Sequence, residues 1–337
     1  MKFSLFSTIA LFAATATAET NNAITRINGR TQTLKGEAAE VDDVELNREC
    51  HKQNGNYMPS LKAGQYSTSA FHNCFRTSDQ IYEFIDALVA QNPTLLSKFA
   101  ISKTNKGATI YGYKLTKGHS QSLYFQALQH AREWYDLYFV PIVNIDGYAH
   151  TWASARFQRK NANEIDLNRN WPSLPNPRPP PKKSNEYPGF NAFSEPETAG
   201  INSWLQTKRG EIQGFIDFHA YGGLILYAYA DNNKTIGGGF DEKFEVLGRG
   251  LENDMGAYKY GQANSLHLAY GVFTDYAFRA FQKPAVKIEI IGDDFVVDAS
   301  TIPTRGLEVY KGINRFAKEV TVFKGGDVTP DKPSCGE

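Results

Sequence analysis

The sequence predicts an α/β fold with a mixed, largely parallel central sheet flanked by helices. Strand-length apolar runs recur along the chain, with segments of helical spacing between them, an alternation that packs helices against a sheet. The 337 residues are enough to bury a large core, as one big α/β domain or two smaller ones.

The elements follow in chain order. Residues 1–18 read as an export signal: Lys2 supplies the positive start, residues 3–14 are apolar, and Ala16-Thr17-Ala18 offers small residues for cleavage before Glu19. A secreted, extracellular protein is therefore expected. Residues 19–65 are polar and without sustained period, which predicts a leader or short pro-segment. Folded structure is expected after that, and 325–337 read as a tail. In "RTSDQIYEFIDALVAQNP", Thr77 and Gln80 form a capping pair, Ile81, Phe84, Ile85 and Leu88 follow at helical spacing, and Pro93 is the stop. "ATIYGYKLT" and "SLYFQALQ" read as strands, "DLYFVPIVNIDGY" as a buried strand, and "IQGFIDFHAY", "LILYAYA" and "PAVKIEII" as three more. Helices are expected at about 195–207, 240–255 and 304–318. "PSLPNPRPPPKK" reads as a polyproline-like surface loop, since sheet elements continue on both sides.

Lys plus Arg and Asp plus Glu number 36 each and there is no long basic run, so nothing points to nucleic acid or an anionic membrane. Beyond the first residues, no apolar run reaches the roughly 18 residues of a membrane span. The three cysteines suit an oxidising compartment; Cys50 with Cys74 is the preferred pair, and Cys50 with Cys335 stays open.

Chemistry-bearing residues cluster in three places. His130 and Glu133 lie three apart where "SLYFQALQHAREW" leaves its strand, and His219 ends the strand "IQGFIDF". A catalytic zinc takes three protein ligands and leaves one position open, so these three can complete a Zn2+ site. With seven histidines in the chain, His-x-x-Glu alone is a weak signal. "SARFQRKNANEIDLNRNW" gathers Arg156, Arg159, Asp166, Asn168 and Arg169. A guanidinium fork matches a carboxylate, but that segment read alone favours a solvated loop with structural ion pairs. In "PAVKIEII", alternation puts Ala285, Lys287 and Glu289 on one face. Inside a pocket Glu289 could act as a general base; on an edge strand it would be solvated.

Taken together, "HAREW", "VNIDGY", "RKN" followed by "DLNRNW", "FSEPET", "DFHAY", "GVFTDY" and "KIEI" occur in an order that resembles the zinc carboxypeptidases of the pancreatic A and B type. The resemblance runs from about residue 66 to 324. It implies a secreted zinc-dependent peptidase that removes the last residue of peptides and proteins and acts as a monomer. It implies further that His130, Glu133 and His219 bind one Zn2+, that Glu289 is the general base, and that Arg159 stabilises the oxyanion. By the same carry-over Asn168 and Arg169 hold the substrate's terminal carboxylate, with Arg132 assisting.

The chain departs from the family at His267, at Thr274 and after Glu133. His267 stands where the family has a tyrosine that covers the substrate; a histidine is shorter and takes up a proton in the physiological range, which implies impaired or pH-shifted binding. Thr274 matches the main specificity position and is neither aliphatic nor acidic. Lys287 shares its strand face with Glu289 and is expected either to line the pocket, favouring polar or acidic terminal residues, or to pair with Asp293 or Asp294. Only Trp134 and Tyr135 separate Glu133 from Asp136, whereas the family has a helix and loop of roughly 30 residues between those motifs. A parallel return normally needs a dozen or more residues. The expectation is a lost or reversed strand, a distorted metal-binding turn, or a shortened gene-model or splice form of a longer protein. The competing functional reading is a peptide-binding protein without turnover.

Overall fold

The computed structural model describes residues 24–27, 30–33, 43–118, 120–133 and 139–323. The predicted export signal, the tail with Cys335, and positions 134–138 of the shortened connection lie outside the described residues. The chain divides into two compact units, 1–46 and 47–337. The first contains an antiparallel hairpin of β1 (Ile24–Ile27) and β2 (Arg30–Thr33) and the opening residues of helix α1 (Asp43–Asn54).

Ordered structure in the second unit begins earlier than its polar, aperiodic composition suggests, because α1 runs through a stretch read as leader. Cys50 of α1 is bonded to Cys74 across 24 residues, and the side chain of Asn47 accepts from the Phe75 amide. Helix α2 (Ser78–Gln91) forms where its spacing predicts. Thr77 and Gln80 cap each other reciprocally, and Ile81, Phe84, Ile85 and Leu88 are the buried stripe.

Strands β3 (Leu96–Lys103) and β4 (Thr109–Leu115) pair antiparallel. After β5 (Ser122–Ala127) come α3 (Ile145–Ala153), α4 (Pro196–Thr207), β6 (Ile212–Ala220), β7 (Leu224–Tyr227), α5 (Phe240–Met255), β8 (Lys259–Gln262), α6 (Phe273–Phe281), β9 (Ala285–Ile290) and α7 (Ile302–Phe323). The main sheet has the order β5-β6-β9-β7-β8, and three of its four pairings are parallel. β6 is buried along its whole length, as expected for an interior parallel strand. Gly214 in β6 lets α7 approach: a Cβ there would stand 2.8 Å from the Phe316 ring and 2.9 Å from Val320. None of the described helices is long and apolar enough to cross a membrane.

Of the buried strand read into "DLYFVPIVNIDGY", the described part from Phe139 onward forms only an isolated bridge, and that bridge is parallel. Val140 keeps one parallel bridge to Gln126, and the amides of Val143 and Asn144 donate to the carbonyls of Ala127 and Leu128. Asn144 then turns the chain into α3, its side chain accepting from the Gly147 amide at 3.0 Å. The physical reason is reach. The few residues after Glu133 return the chain only to the level of Gln126, not to the start of β5. A cavity of 680 Å3 lies between the β3–β4 pair and β5, with Tyr113, Leu115, Leu123, Phe125 and Trp204 in its walls. Phe139 bridges the two sheets, its carbonyl accepting from the Tyr113 amide at 2.7 Å.

Candidate metal centre and active site

The end of β5 and the end of β6 deliver the groups that could hold a metal. Residues 128–133 turn sharply, with the Glu133 amide donating to the His130 carbonyl, so the two side chains face one space. His130 Nδ1 lies 2.8 Å from Glu133 Oε1, and His219 Nδ1 lies 2.9 Å from Glu133 Oε2. The ligand atoms of all three lie within 4.8 Å of one another, and the three residues are buried.

Both imidazoles are oriented from behind by carboxylates. His130 Nε2 is 3.1 Å from Asp166 Oδ1; His219 Nε2 is 2.8 Å from Asp217 Oδ2 and 2.9 Å from Asn168 Nδ2. Such carboxylate–histidine pairs fix the ring and raise its basicity toward a metal. Burial opposes ionisation of Glu133, but the two imidazoles outweigh it and hold its carboxyl well below the usual range. Burial likewise disfavours charge on His219, yet Asp217 and Glu133 raise it to about 10. Two imidazole Nδ1 atoms and one carboxylate, converging and braced, form a donor set that suits zinc.

Sequence reasoning missed Asp217, although it sits two residues before His219 on the same strand face. Its carboxylate also accepts from Gln126 at 3.2 Å and Gln129 at 2.6 Å. Asn144 was missed as well: it donates to the carbonyls of Gln129 and Arg159 and ties the metal-binding turn to the next segment. Only the geometry reveals that role.

Arg159 meets Asp166 through Nε at 2.9 Å and Nη2 at 2.6 Å. Burial pushes the Asp166 carboxyl up, but Arg159 and His130 drive it well below its ordinary value. Asn168 is buried beside His219, and its Oδ1 accepts from the Phe273 amide. Arg169 reaches Glu186 at 2.7 Å and the Asn168 carbonyl at 2.8 Å. Gly271, at φ 71°, allows this contact region to close: a Cβ there would lie 2.1 Å from the Arg169 carbonyl oxygen. Arg132 stacks its guanidinium 4.1 Å from the Phe295 ring centroid, and its buried Nε has no hydrogen-bond partner among the described residues. Burial lowers its pKa, helped by the charge of Arg159.

Glu289 lies in register with His219, one strand away in the sheet interior, so the edge-strand alternative does not apply. Lys287 pairs with Glu289 at 2.8 Å rather than with Asp293 or Asp294. Thr274 is buried in the first turn of α6, whereas His267 is exposed on the loop that precedes it.

A family profile described as zinc carboxypeptidase matches residues 135–312, more than half of the chain. The chain belongs to the zinc carboxypeptidase family. The matched span contains His219 and Glu289, while His130 and Glu133 precede it and join the site through geometry. Curated relatives include human carboxypeptidase A1, 30% identical over 222 residues (53% of this chain, 52% of the relative), and bovine carboxypeptidase B, 26% identical over 261 residues (63% and 62%). The chain spans roughly half the length of the rat, human and mouse carboxypeptidase A1 relatives it matches, 54%, 52% and 54%. Among solved structures, carboxypeptidase A from Helicoverpa armigera superposes with a TM-score of 0.71 at 20% identity, covering 85% of this chain and 83% of that one. Bovine thrombin-activatable fibrinolysis inhibitor, in complex with tick carboxypeptidase inhibitor, gives 0.68 at 23% identity, covering 75% and 99%. These structures support the family fold of a mixed, largely parallel sheet flanked by helices.

Proposed function

We propose that this protein is a secreted, monomeric zinc metallocarboxypeptidase that hydrolyses the C-terminal peptide bond of peptides and proteins. One observation carries the reading: the convergence of His130, Glu133 and His219 within 4.8 Å, beside Glu289 in register on β9. Those three residues would hold the ion. Zinc in such a site supplies Lewis acidity toward a carbonyl oxygen and makes water a stronger acid.

The remaining steps belong to the chain's own residues. Glu289 accepts a proton from the attacking water and passes it to the departing amine. Arg159, held in place by Asp166, donates to the oxygen on which negative charge develops. Asn168 and Arg169 receive the substrate's terminal carboxylate, which restricts cleavage to the last bond, and Arg132 assists from the metal-binding turn. His267, Thr274 and Lys287 border the terminal side chain. The segment 1–18 directs export and 19–65 acts as a leader or short pro-segment ahead of a catalytic domain over 66–324.

The test is release of the last amino acid from an N-blocked peptide by the purified protein, with and without a chelator. Chelator-sensitive release that returns with zinc supports the peptidase. Peptide binding without release, at full zinc occupancy, supports the non-catalytic binder instead.

A further inference from the structure

Lys287 stands in an unusual place for an ammonium group. The register sets it against Asp217 on β6 and Leu226 on β7, while Glu289 faces His219 and Leu224. Asp217 is committed to Gln126, Gln129 and His219. Lys287 therefore turns along its own strand, and Nζ lies 2.8 Å from Glu289 Oε1, with side-chain exposures of 21% and 14%. Leu226 belongs to a small apolar cluster with Ala230, Ala263 and Val272, against which Leu224 and Ala269 pack. In surroundings of low polarity an ion pair is stronger than in water. A carboxylate held by an ammonium group is not free to turn toward a substrate or a water, so the pair restrains Glu289 where it stands.

We propose that Lys287 is a specificity-determining and positioning residue, which holds Glu289 in a resting ion pair and releases it to an acidic side chain on the substrate's C-terminal residue. This inference rests on the peptidase reading and names its substrate class: peptides ending in Asp or Glu. An ammonium on a flexible four-carbon stem can exchange one carboxylate for another without backbone movement. A neutral terminal side chain leaves the pair intact, and a cationic one is repelled by Lys287. The terminal α-carboxylate is common to every substrate and does not discriminate; the side-chain carboxylate does.

Two measurements test the proposal. The zinc-loaded protein is assayed on N-blocked peptides that differ only in a last residue of Glu, Leu or Lys, and N-acetylglutamate and N-acetylleucine are titrated calorimetrically. The expected kcat/KM order is Glu, Leu, Lys, with Glu over Leu by about tenfold, the effect of roughly 1.4 kcal/mol. Part of the gain should appear in kcat, which a pocket that merely binds tighter would not produce. N-acetylglutamate should bind about tenfold more tightly than N-acetylleucine. Lys287→Met should abolish both preferences and raise kcat on the Leu-ended peptide, while Lys287→Arg keeps them. Equal binding of the two acetylated amino acids, or a preference for Leu or Lys ends, overturns the proposal. A uniform loss on all peptides with the preference intact in Lys287→Met overturns it too. Because binding needs no turnover, the two readings fail separately. Chelator-sensitive hydrolysis without a Glu preference sinks only the role of Lys287, and a Lys287-dependent acetylglutamate preference without hydrolysis sinks only the enzyme.

Discussion

At the residue scale, Glu133 and Asp166 hold the candidate metal site together. Glu133 sits between two imidazoles, and Asp166 joins His130 to Arg159, so one carboxylate orients both a ligand and the proposed oxyanion donor. Asp166→Asn should weaken zinc binding by about 10- to 100-fold, the range for such supporting partners, as read by competition with a chromogenic chelator. Unchanged zinc affinity would deny Asp166 that role. Glu289→Gln removes the proton acceptor without touching a ligand; kcat should fall about a hundred- to ten-thousand-fold while zinc content stays at the wild-type level. The exposed His267 is the natural site for restoring the family's tyrosine. His267→Tyr should lower KM, and unchanged constants in an active preparation would remove His267 from substrate binding.

At the element scale, much of the fold was legible because local chemistry and tertiary packing agree. The capping pair and apolar spacing of α2 point the same way, and the apolar length of "IQGFIDF" matches a strand buried on both faces. The convergence of His130, Glu133 and His219 was legible from motif order and from where strands end. The segment 139–144 was not, since its apolar composition suits a strand but the short connection leaves it room for only one bridge before Asn144 starts a helix. Asp217 was overlooked although the alternation that singled out Lys287 and Glu289 applies equally to "IDFHAY". The N-terminus of α4 offers a test of its own. Burial, with Glu195 and Asp146 nearby, raises Glu197 to about 7. Its folded pKa lies above its unfolded one, so folding takes up a proton between those values. This group's contribution to stability is therefore undiminished below about pH 4.5, declines as pH rises toward 7, and stays low above that. Glu197→Gln should flatten that slope in thermal melts taken from pH 4.5 to 7.5; an identical slope in both proteins would assign the pH dependence elsewhere.

At the scale of the whole molecule, the shortened connection and the intact site make opposing demands. The sheet keeps the order β5-β6-β9-β7-β8 and carries His219 and Glu289 side by side, while Glu133 sits directly before the shortened connection. A 680 Å3 cavity lies between the β3–β4 pair and β5, with Phe139 and Val140 of the shortened segment in its wall. Stability should bear the cost of that cavity, and the bond between Cys50 and Cys74 offsets part of it. Closing a loop of this length contributes about 3 kcal/mol by the chain-entropy model. Cys74→Ser should accordingly lower the denaturant midpoint while leaving zinc stoichiometry unchanged in the folded fraction. The central claim, that His130, Glu133 and His219 form a catalytic zinc site, is tested most directly by titrating zinc into metal-free protein while following release of the last residue of a peptide. The account predicts release that rises linearly and saturates at one zinc per chain. Saturation of the site without any release, or release that persists in the absence of zinc, would contradict it.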